Sequence, residues 1–210
     1  MNQFPQQEER FFLPGPAGQL EVLTTWPKEA AKKRVGIICH PHPQQEGTMN
    51  NKVVTTIAKA FDRLGLATVR FNFRGVGKSE GEYAKTIGER DDLSAIVEWV
   101  RHVLPDYEIW LAGFSFGSYI AASIANQERV SQLLTIATTV NHYDFASLTN
   151  IQCPWLSIVG EQDELVPVEE VEAFAAHPPV PMKLIVLPEV GHFFHGHLIE
   201  LRELIITELS

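Results

Sequence analysis

Short runs of apolar residues recur along the chain, and branched side chains are common in them. Most of these runs are apolar at every position rather than at alternate positions, which is typical of strands covered on both faces of a sheet. The pattern predicts six such strands, at Val35–Cys39, Leu66–Phe73, Ile109–Phe114, Leu133–Ala137, Trp155–Val159 and Leu184–Leu187.

The segments between these runs carry apolar residues three and four positions apart, the spacing of one helix face. In the first such segment, Val53, Ile57 and Phe61 fall on one stripe. The spacing predicts helices at Asn51–Leu64, Arg90–Leu104, Gly117–Gln127, Val168–Ala176 and His197–Leu209. Helices that alternate with buried strands indicate a mostly parallel sheet with helices on both faces.

The first part of the chain follows a different pattern. Phe11–Leu13 and Leu20–Thr25 are separated by the turn-forming sequence Pro14-Gly15-Pro16-Ala17-Gly18, which predicts a β-hairpin. We therefore expect an α/β fold whose mostly parallel sheet has an antiparallel edge at its N-terminal side.

The length of the chain favours one domain. The protein has 210 residues, of which 45% are hydrophobic and 20% are charged. A chain of this size buries roughly 70% of its unfolded surface, whereas two complete domains would each be small. The sequence contains no internal repeat, low-complexity tract or linker, so we expect a single domain over residues 1–210.

The charge, the apolar runs and the cysteine content limit the expected partners and location of the protein. The 17 Lys and Arg residues against 26 Asp and Glu residues leave a net charge of −9, which disfavours binding to nucleic acid or to an anionic membrane. Residues 1–10 lack the features of a signal peptide, and no apolar run reaches the roughly 18 residues of a membrane span. The two cysteines, Cys39 and Cys153, form no disulfide framework. A cytoplasmic location is therefore expected.

A serine motif lies between a predicted strand and a predicted helix. Gly113-Phe114-Ser115-Phe116-Gly117 has the form Gly-x-Ser-x-Gly and connects the strand to an alanine-rich helix, as a nucleophile elbow does. A serine on such a sharp turn brings the residues two before and two after it close together, where side chains would clash. The motif therefore predicts that Ser115 is a catalytic nucleophile.

A nucleophilic serine needs a base and a group that orients the base. Asp163 follows the strand Trp155–Val159, and His192 follows the strand Leu184–Leu187. We predict that His192 is the base and that Asp163 orients it. Glu161 and Glu164, which flank Asp163, could also do so, but the form Gly-x-x-Asp-x-x-Val-Pro favours Asp163; Asp144, after the preceding strand, is the alternative carboxylate. The chain order serine, aspartate, histidine is that of the α/β hydrolase triad.

From about Leu20 onward, the chain resembles the α/β hydrolase fold family. Within it, the chain is similar to small bacterial serine hydrolases without a cap, of the dienelactone-hydrolase-like group. The finer resemblance lies in 40–43 (HPHP), 47–52 (GTMNNK) and 72–81 (NFRGVGKSEG). It implies a Ser-His-Asp catalytic triad. Capped relatives carry an insertion where this chain has only Thr138–Pro154, so no cap domain is expected. Without a cap, the walls of the site are expected to come from Gln44–Met49, Asn141–Phe145 and Phe193-Phe194.

The resemblance also implies an oxyanion hole built from two backbone N–H groups. One is that of Phe116, after the nucleophile, and the other lies in the loop 40–43. Because Pro41 and Pro43 lack an N–H, His42 is the predicted second donor and Gln44 the alternative. A metal site formed by the imidazoles of His40 and His42 is a weaker alternative, since no carboxylate lies nearby in the sequence.

Two other side-chain groups have a structural explanation in the sequence. We expect Arg74 to pair with Asp91 or Asp92 at the start of the next helix. His195 and His197 could bind zinc together with His192, but we assign them to the start of the last helix.

Together these features predict a serine hydrolase (a carboxylesterase or thioesterase) that cleaves a small ester or thioester through an acyl-enzyme, with no metal or organic cofactor. Alternatives are a catalytically inactive binding protein with this fold, or a peptidase or perhydrolase that uses the same triad. We expect a monomer or a homodimer.

Overall fold

The computed structural model of the protein describes residues 3–28 and 32–210. Met1 and Asn2, part of the segment considered for a signal peptide, lie outside them. The strands are β1 (Glu9–Gly15), β2 (Gly18–Thr25), β3 (Arg34–Cys39), β4 (Ala67–Phe71), β5 (Glu108–Phe114), β6 (Gln132–Ile136), β7 (Trp155–Gly160) and β8 (Lys183–Leu187). The α-helices are α1 (Lys52–Arg63), α2 (Ile87–Val103), α3 (Phe116–Gln127), α4 (Val168–Ala176) and α5 (Leu198–Leu209).

The strands form one eight-stranded sheet in the order β1-β2-β4-β3-β5-β6-β7-β8. The hairpin β1–β2 and the pair β2–β4 are antiparallel, while all other neighbours are parallel. This arrangement confirms the predicted mostly parallel sheet with an antiparallel N-terminal edge. Because β5 to β8 are parallel, the loops that follow them emerge at the same edge of the sheet.

Helices cover both faces of the sheet, as the continuous apolar strands predicted. Side chains of α2 and α3, such as Val97 and Ile120, form one core with Leu111 of β5. On the opposite face, Phe61 of α1 and Ile205 of α5 belong to a second core. Strand β5 contributes to both cores because successive side chains of a strand point to opposite faces.

Local signals set the ends of the helices. The side chain of Asn51 accepts a hydrogen bond from the N–H of Val53, which caps α1, and Gly65 follows that helix with a φ of +82°. Helix α2 begins at Ile87, three residues before the predicted start at Arg90. The apolar stripe of α2 does not extend over this first turn, because Ile87 is exposed and Gly88 has no side chain. The helical spacing in the sequence therefore could not indicate the earlier start.

The segment between β6 and β7 carries no cap. Within residues 138–154, the helical structure is one short 3₁₀ turn at Phe145–Ser147. Among the described residues, no helix is both long enough and apolar enough to cross a membrane.

Candidate active site

Ser115 lies on a strained turn between β5 and α3. Its backbone adopts φ 53° and ψ −121°, a conformation that residues with side chains rarely adopt. A Cβ atom on Gly113 would lie 2.0 Å from the carbonyl oxygen of Gly117, and one on Gly117 would lie 2.4 Å from that of Cys39. The two glycines of the motif are therefore required by close backbone contacts.

The imidazole of His192 lies beside this serine. His192, on the loop after β8, places Nε2 3.0 Å from Oγ of Ser115. Its Nδ1 lies 2.8 Å from Oδ2 of Asp163, which is on the loop after β7. An ionised carboxylate can only accept, so Nδ1–H donates to Asp163, and Nε2 is left to accept the hydroxyl proton of Ser115. The structure thus brings the three predicted residues into one hydrogen-bonded chain.

The carboxylate of Asp163 is held in place by its own loop. Its Oδ1 accepts hydrogen bonds from the N–H groups of Leu165 at 2.9 Å and Val166 at 2.8 Å. The alternative orienting group, Asp144, is exposed and accepts a hydrogen bond from the N–H of Ser147 instead. The contacts therefore assign Asp163, rather than Asp144, as the partner of His192.

Glu161 and Glu164, which the sequence offered as other groups that could orient His192, instead hold the backbone of the histidine loop. Oε2 of Glu164 accepts the backbone N–H of His192 at 3.1 Å, and Oε2 of Glu161 accepts that of Glu189 at 3.0 Å. These bonds join the loops after β7 and β8 across 28 residues of chain. No local signal marks a contact over that separation.

His40, the first residue of the loop 40–43, is neutral and fully buried. Its Nδ1–H donates to the carbonyl of Pro41 at 2.6 Å, and its Nε2 accepts the N–H of Phe73 at 3.1 Å. Burial lowers the pKa of His40 to about 4. Both ring nitrogens are therefore engaged with the backbone, and neither is free to bind a metal.

His42 is also held by both ring nitrogens. Its Nδ1 accepts the N–H of Gln44 at 3.1 Å, and its Nε2 lies 3.2 Å from the hydroxyl of Tyr83. Burial lowers the pKa of His42, while the charge of Glu89 opposes this shift. The hydrogen bonds of His42, like those of His40, argue against the metal site that was considered from the sequence.

The backbone N–H groups of His42 and Phe116 are free to bind a ligand. Within residues 3–28 and 32–210, neither donates to an acceptor. The alternative donor, the N–H of Gln44, is occupied by the ring of His42. His42 and Phe116 both line the cleft that contains Ser115.

The cleft has a volume of about 360 Å³. Its lining consists of His42, Gln45, Ser115, Phe116, Thr139, His142, Tyr143, Leu165, Val166 and His192. These residues include no Lys, Arg, Asp or Glu, so its walls carry no permanent charge.

Phe193 and Phe194, which follow His192, do not line this cleft, although they were expected to form part of its wall. Phe194 is fully buried in the core of the α1 and α5 face. Phe193 packs edge-on against His192, with ring centroids 5.0 Å apart, and remains 40% exposed. Phe193 therefore supports the imidazole of His192 and Phe194 belongs to the core, so neither forms a wall of the cleft.

The remaining candidates have structural partners. Arg74 forms the predicted ion pair with Asp92, which accepts Nη2 at 2.7 Å and the backbone N–H at 3.0 Å. His195 stacks on Phe193, and Nδ1 of His197 lies 2.9 Å from Oε2 of Glu200. These contacts agree with a structural role for all three residues.

Comparison with known proteins places this site in a family context. The profile of the family described as the alpha/beta hydrolase fold matches residues 37–149. An uncharacterised protein from Rickettsia prowazekii is 32% identical over 171 residues, which cover 78% of this chain and 70% of that protein.

Two solved structures are similar over nearly the whole chain. An alpha-beta serine hydrolase homologue from Coxiella burnetii has 53% identity and a TM-score of 0.96, covering 99% of this chain and 100% of that one. A serine hydrolase without lid from Xanthomonas campestris has 39% identity and a TM-score of 0.92, covering 97% of this chain and 94% of that one. The second likeness agrees with the short segment between β6 and β7.

Proposed function

Since the chain belongs to the α/β hydrolase fold family, we propose that it is a serine hydrolase that cleaves small carboxylic esters or thioesters. Ser115 is the nucleophile, His192 the general base and acid, and Asp163 the residue that orients the base. The observation that carries this proposal is the 3.0 Å separation between Nε2 of His192 and Oγ of Ser115, in the tautomer that accepts a proton.

In the first half of the reaction, Oγ of Ser115 attacks the acyl carbon while Nε2 of His192 takes the hydroxyl proton. The electron pair of the carbonyl moves onto its oxygen, which accepts hydrogen bonds from the N–H groups of Phe116 and His42. The carbonyl then re-forms, the bond to the alcohol or thiol breaks, and the imidazolium of His192 protonates the leaving group.

In the second half, water attacks the acyl carbon of the Ser115 ester and gives a proton to His192. The second tetrahedral intermediate collapses with release of the acid, and Ser115 regains its proton from the imidazolium. Throughout, Asp163 stabilises the positive charge on the ring through the Nδ1–H bond. Every proton transfer is made between these residues, the substrate and water.

The cleft favours an uncharged, compact substrate. A charged group would find no countercharge among the lining residues, which include Thr139, Tyr143 and Leu165. A nonhydrolytic binding protein with the same fold would need neither a base at hydrogen-bonding distance from Ser115 nor two backbone N–H groups left without acceptors. The complete constellation therefore supports an enzyme over a binding protein.

Labelling with a fluorophosphonate tests the proposal. We expect the wild-type protein to be labelled at Ser115 and to hydrolyse p-nitrophenyl acetate, and Ser115→Ala to lose both properties while it stays folded. Ser131→Ala, at an exposed serine away from the site, is the matched control and should behave like the wild type. Wild-type protein that resists labelling, or Ser115→Ala with turnover within about tenfold of wild type, would refute the assignment.

A substrate panel would then define the reaction. Esters, thioesters and lactones with the same acyl group should be compared by kcat/KM, with peptide amides and peroxide-dependent turnover measured in parallel. A higher kcat/KM for amides than for esters would favour a peptidase on the same triad. Peroxide-dependent turnover above hydrolysis would favour a perhydrolase.

A further inference from the structure

Tyr83 contacts the oxyanion loop but takes no part in the chemistry described above. Its hydroxyl oxygen lies 3.2 Å from Nε2 of His42, and the two ring centroids are 5.1 Å apart. Tyr83 belongs to the segment between β4 and α2, so this contact connects a distant part of the chain with the loop that follows β3.

The direction of this hydrogen bond follows from the other ring nitrogen. The N–H of Gln44 can only donate, so Nδ1 of His42 must accept it and carry no proton. A neutral imidazole then has its proton on Nε2, which donates to the oxygen of Tyr83. His42 is thus fixed in one tautomer and one ring orientation by a bond on each side.

The turn that follows Tyr83 is held by a buried carboxylate. Glu89, fully buried in the first turn of α2, accepts the N–H groups of Ala84 and Thr86, each at 2.8 Å. Lys85 and Thr86 adopt φ values of 51° and 77°, a strained turn that these two bonds stabilise. The pKa of Tyr83 is raised by burial and by the charge of Glu89, so the hydroxyl stays protonated at neutral pH.

The same rings link the two proposed oxyanion donors. The ring of Phe116 packs against that of His42, with centroids 5.1 Å apart, and against that of Tyr83 at 6.1 Å. A movement of the His42 backbone relative to that of Phe116 would disturb these ring contacts or require the His42 side chain to rotate. A bond that fixes the ring therefore also fixes the spacing of the two N–H groups.

We propose that Tyr83 is a positioning residue of the oxyanion hole, acting through the imidazole of His42. It contacts neither the nucleophile nor the base, and it stabilises the transition state by holding the His42 N–H in line with that of Phe116. This inference rests on the proposed function, because it assigns a role to a residue outside the triad in the same reaction.

Tyr83→Phe tests the inference with the loss of a single oxygen atom. Loss of one neutral hydrogen bond that fixes a donor should lower kcat about three- to tenfold. KM for p-nitrophenyl acetate should stay within twofold, because the ground-state ester makes little use of the oxyanion donors. Tyr119→Phe is the matched control: Tyr119 stacks on Tyr143 in the same aromatic cluster, and its hydroxyl has no hydrogen-bond partner among the described residues.

An inhibitor that forms an oxyanion at Ser115 tests the oxyanion hole directly. A general structural role of Tyr83 would not change the inhibition constant of such a compound. A trifluoromethyl ketone adds to Ser115 and places its oxyanion in the hole, so its inhibition constant should rise by the same factor by which kcat/KM falls. The acid limb of the kcat/KM profile should keep its midpoint in Tyr83→Phe, because His192 and Asp163 are untouched. Thermal midpoints of all three proteins should be recorded to show that each is folded.

The possible outcomes separate this inference from the proposed function. If Tyr83→Phe equals Tyr119→Phe in kcat, or if kcat falls while the inhibition constant of the ketone is unchanged, the inference is wrong and the proposed function stands. If only KM rises, Tyr83 shapes the substrate site instead and the inference is also wrong. If the wild-type protein neither hydrolyses esters nor forms the ketone adduct, the proposed function fails, and the inference fails with it.

Discussion

The Nδ1 atom of His192 lies 2.8 Å from Oδ2 of Asp163, although 29 positions of sequence separate the two residues. The contact follows from the sheet. Each residue sits on the loop after one of the neighbouring parallel strands β7 and β8, and the carboxyl ends of parallel strands meet at one edge. Ser115 follows β5 at the same edge, so the strand order assembles the site.

Replacement of Asp163 by Asn should cut kcat by about 10⁴-fold, the size of the loss for the same change in a serine protease triad. An amide at this position can donate to Nδ1, which stabilises the tautomer with the proton on Nε2 and leaves no acceptor for the proton of Ser115. The measurement is steady-state hydrolysis of p-nitrophenyl acetate, with circular dichroism to confirm folding.

Asp144→Asn is the matched control for this change. Asp144 is exposed, and its one side-chain hydrogen bond within residues 3–28 and 32–210 is to the N–H of Ser147 in its own turn, so turnover should stay within about twofold of wild type. A larger loss in Asp144→Asn than in Asp163→Asn would show that the orienting carboxylate has been assigned wrongly.

Gly113→Ala should destabilise the protein by about 3 kcal/mol or more. Its Cβ would lie 2.0 Å from the carbonyl oxygen of Gly117 and 2.6 Å from the N–H nitrogen of Ser118, and both are backbone atoms that cannot rotate away. The strained turn at Ser115 would have to open, so activity should be lost as well. Urea denaturation gives the free energy of unfolding.

Gly196→Ala is the control for Gly113→Ala, because it distinguishes the cost of steric contact from the cost of backbone strain. Gly196 has a φ of +80°, but a Cβ there would meet nothing within 4 Å. The expected loss is about 1 to 2 kcal/mol, the cost of a left-handed conformation alone. Equal losses in the two variants would contradict the view that close contacts, rather than backbone angles, require Gly113.

The parts of the fold and site that the sequence predicted depend on local patterns. Continuous apolar runs located the strands, and Gly-x-Ser-x-Gly located the turn at Ser115, because both patterns express constraints within a few residues. Asp163 and His192 could be named since each directly follows a predicted strand. A pairing of Arg74 with Asp91 or Asp92 was also predictable, because both follow the predicted helix start at Arg90, and the structure selects Asp92.

Contacts that cross the chain could not be predicted in this way. Tyr83 reaches His42 over 41 residues, and Glu164 reaches His192 over 28, and in neither case does the surrounding sequence differ from an ordinary loop. Phe193 and Phe194 show the converse error. Adjacent side chains point in different directions. The sequence could not show that Phe194 faces the core while Phe193 packs on the ring of His192.

The buried imidazole of His40 should make stability depend on pH. Its pKa is about 4 in the folded protein, against an ordinary value of 6.5, so between these values the unfolded chain binds a proton that the folded chain does not. The contribution of neutral His40 to the free energy of unfolding is complete above pH 6.5 and is lost as the pH falls towards 4. In that window His40 should contribute a slope approaching about 1.4 kcal/mol per pH unit.

Urea denaturation at a series of pH values measures this slope. His40→Asn or His40→Gln should lower the free energy of unfolding at pH 7. Between pH 6 and 5, either change should reduce the slope of this free energy against pH by an amount that corresponds to nearly one proton. His102→Asn, at an exposed position of α2, is the control variant and should leave the slope unchanged. An unchanged slope in both His40 variants would mean that another group causes the pH dependence.

The open cleft predicts a preference for short acyl chains. Between β6 and β7, residues 138–154 contribute one 3₁₀ turn and no cap helix, and the cleft at Ser115 measures about 360 Å³. Leu165, at its wall, is 42% exposed. Methylene groups beyond the first few would therefore lie against partly hydrated surface rather than in an apolar tunnel.

Discrimination by chain length requires burial of each added methylene. A methylene that is well buried in a pocket contributes about 1 to 3 kcal/mol, whereas one that stays in water contributes little. We therefore expect kcat/KM for p-nitrophenyl acetate or butyrate to equal or exceed that for the octanoate, with no jump in rate when the substrate passes its solubility limit. The kcat/KM values should be measured below that limit, so that aggregation of the octanoate does not imitate poor binding, and rates on both sides of the limit test for the jump. A kcat/KM for octanoate more than about tenfold above that for butyrate would show that an apolar acyl tunnel opens beyond Leu165 when substrate binds.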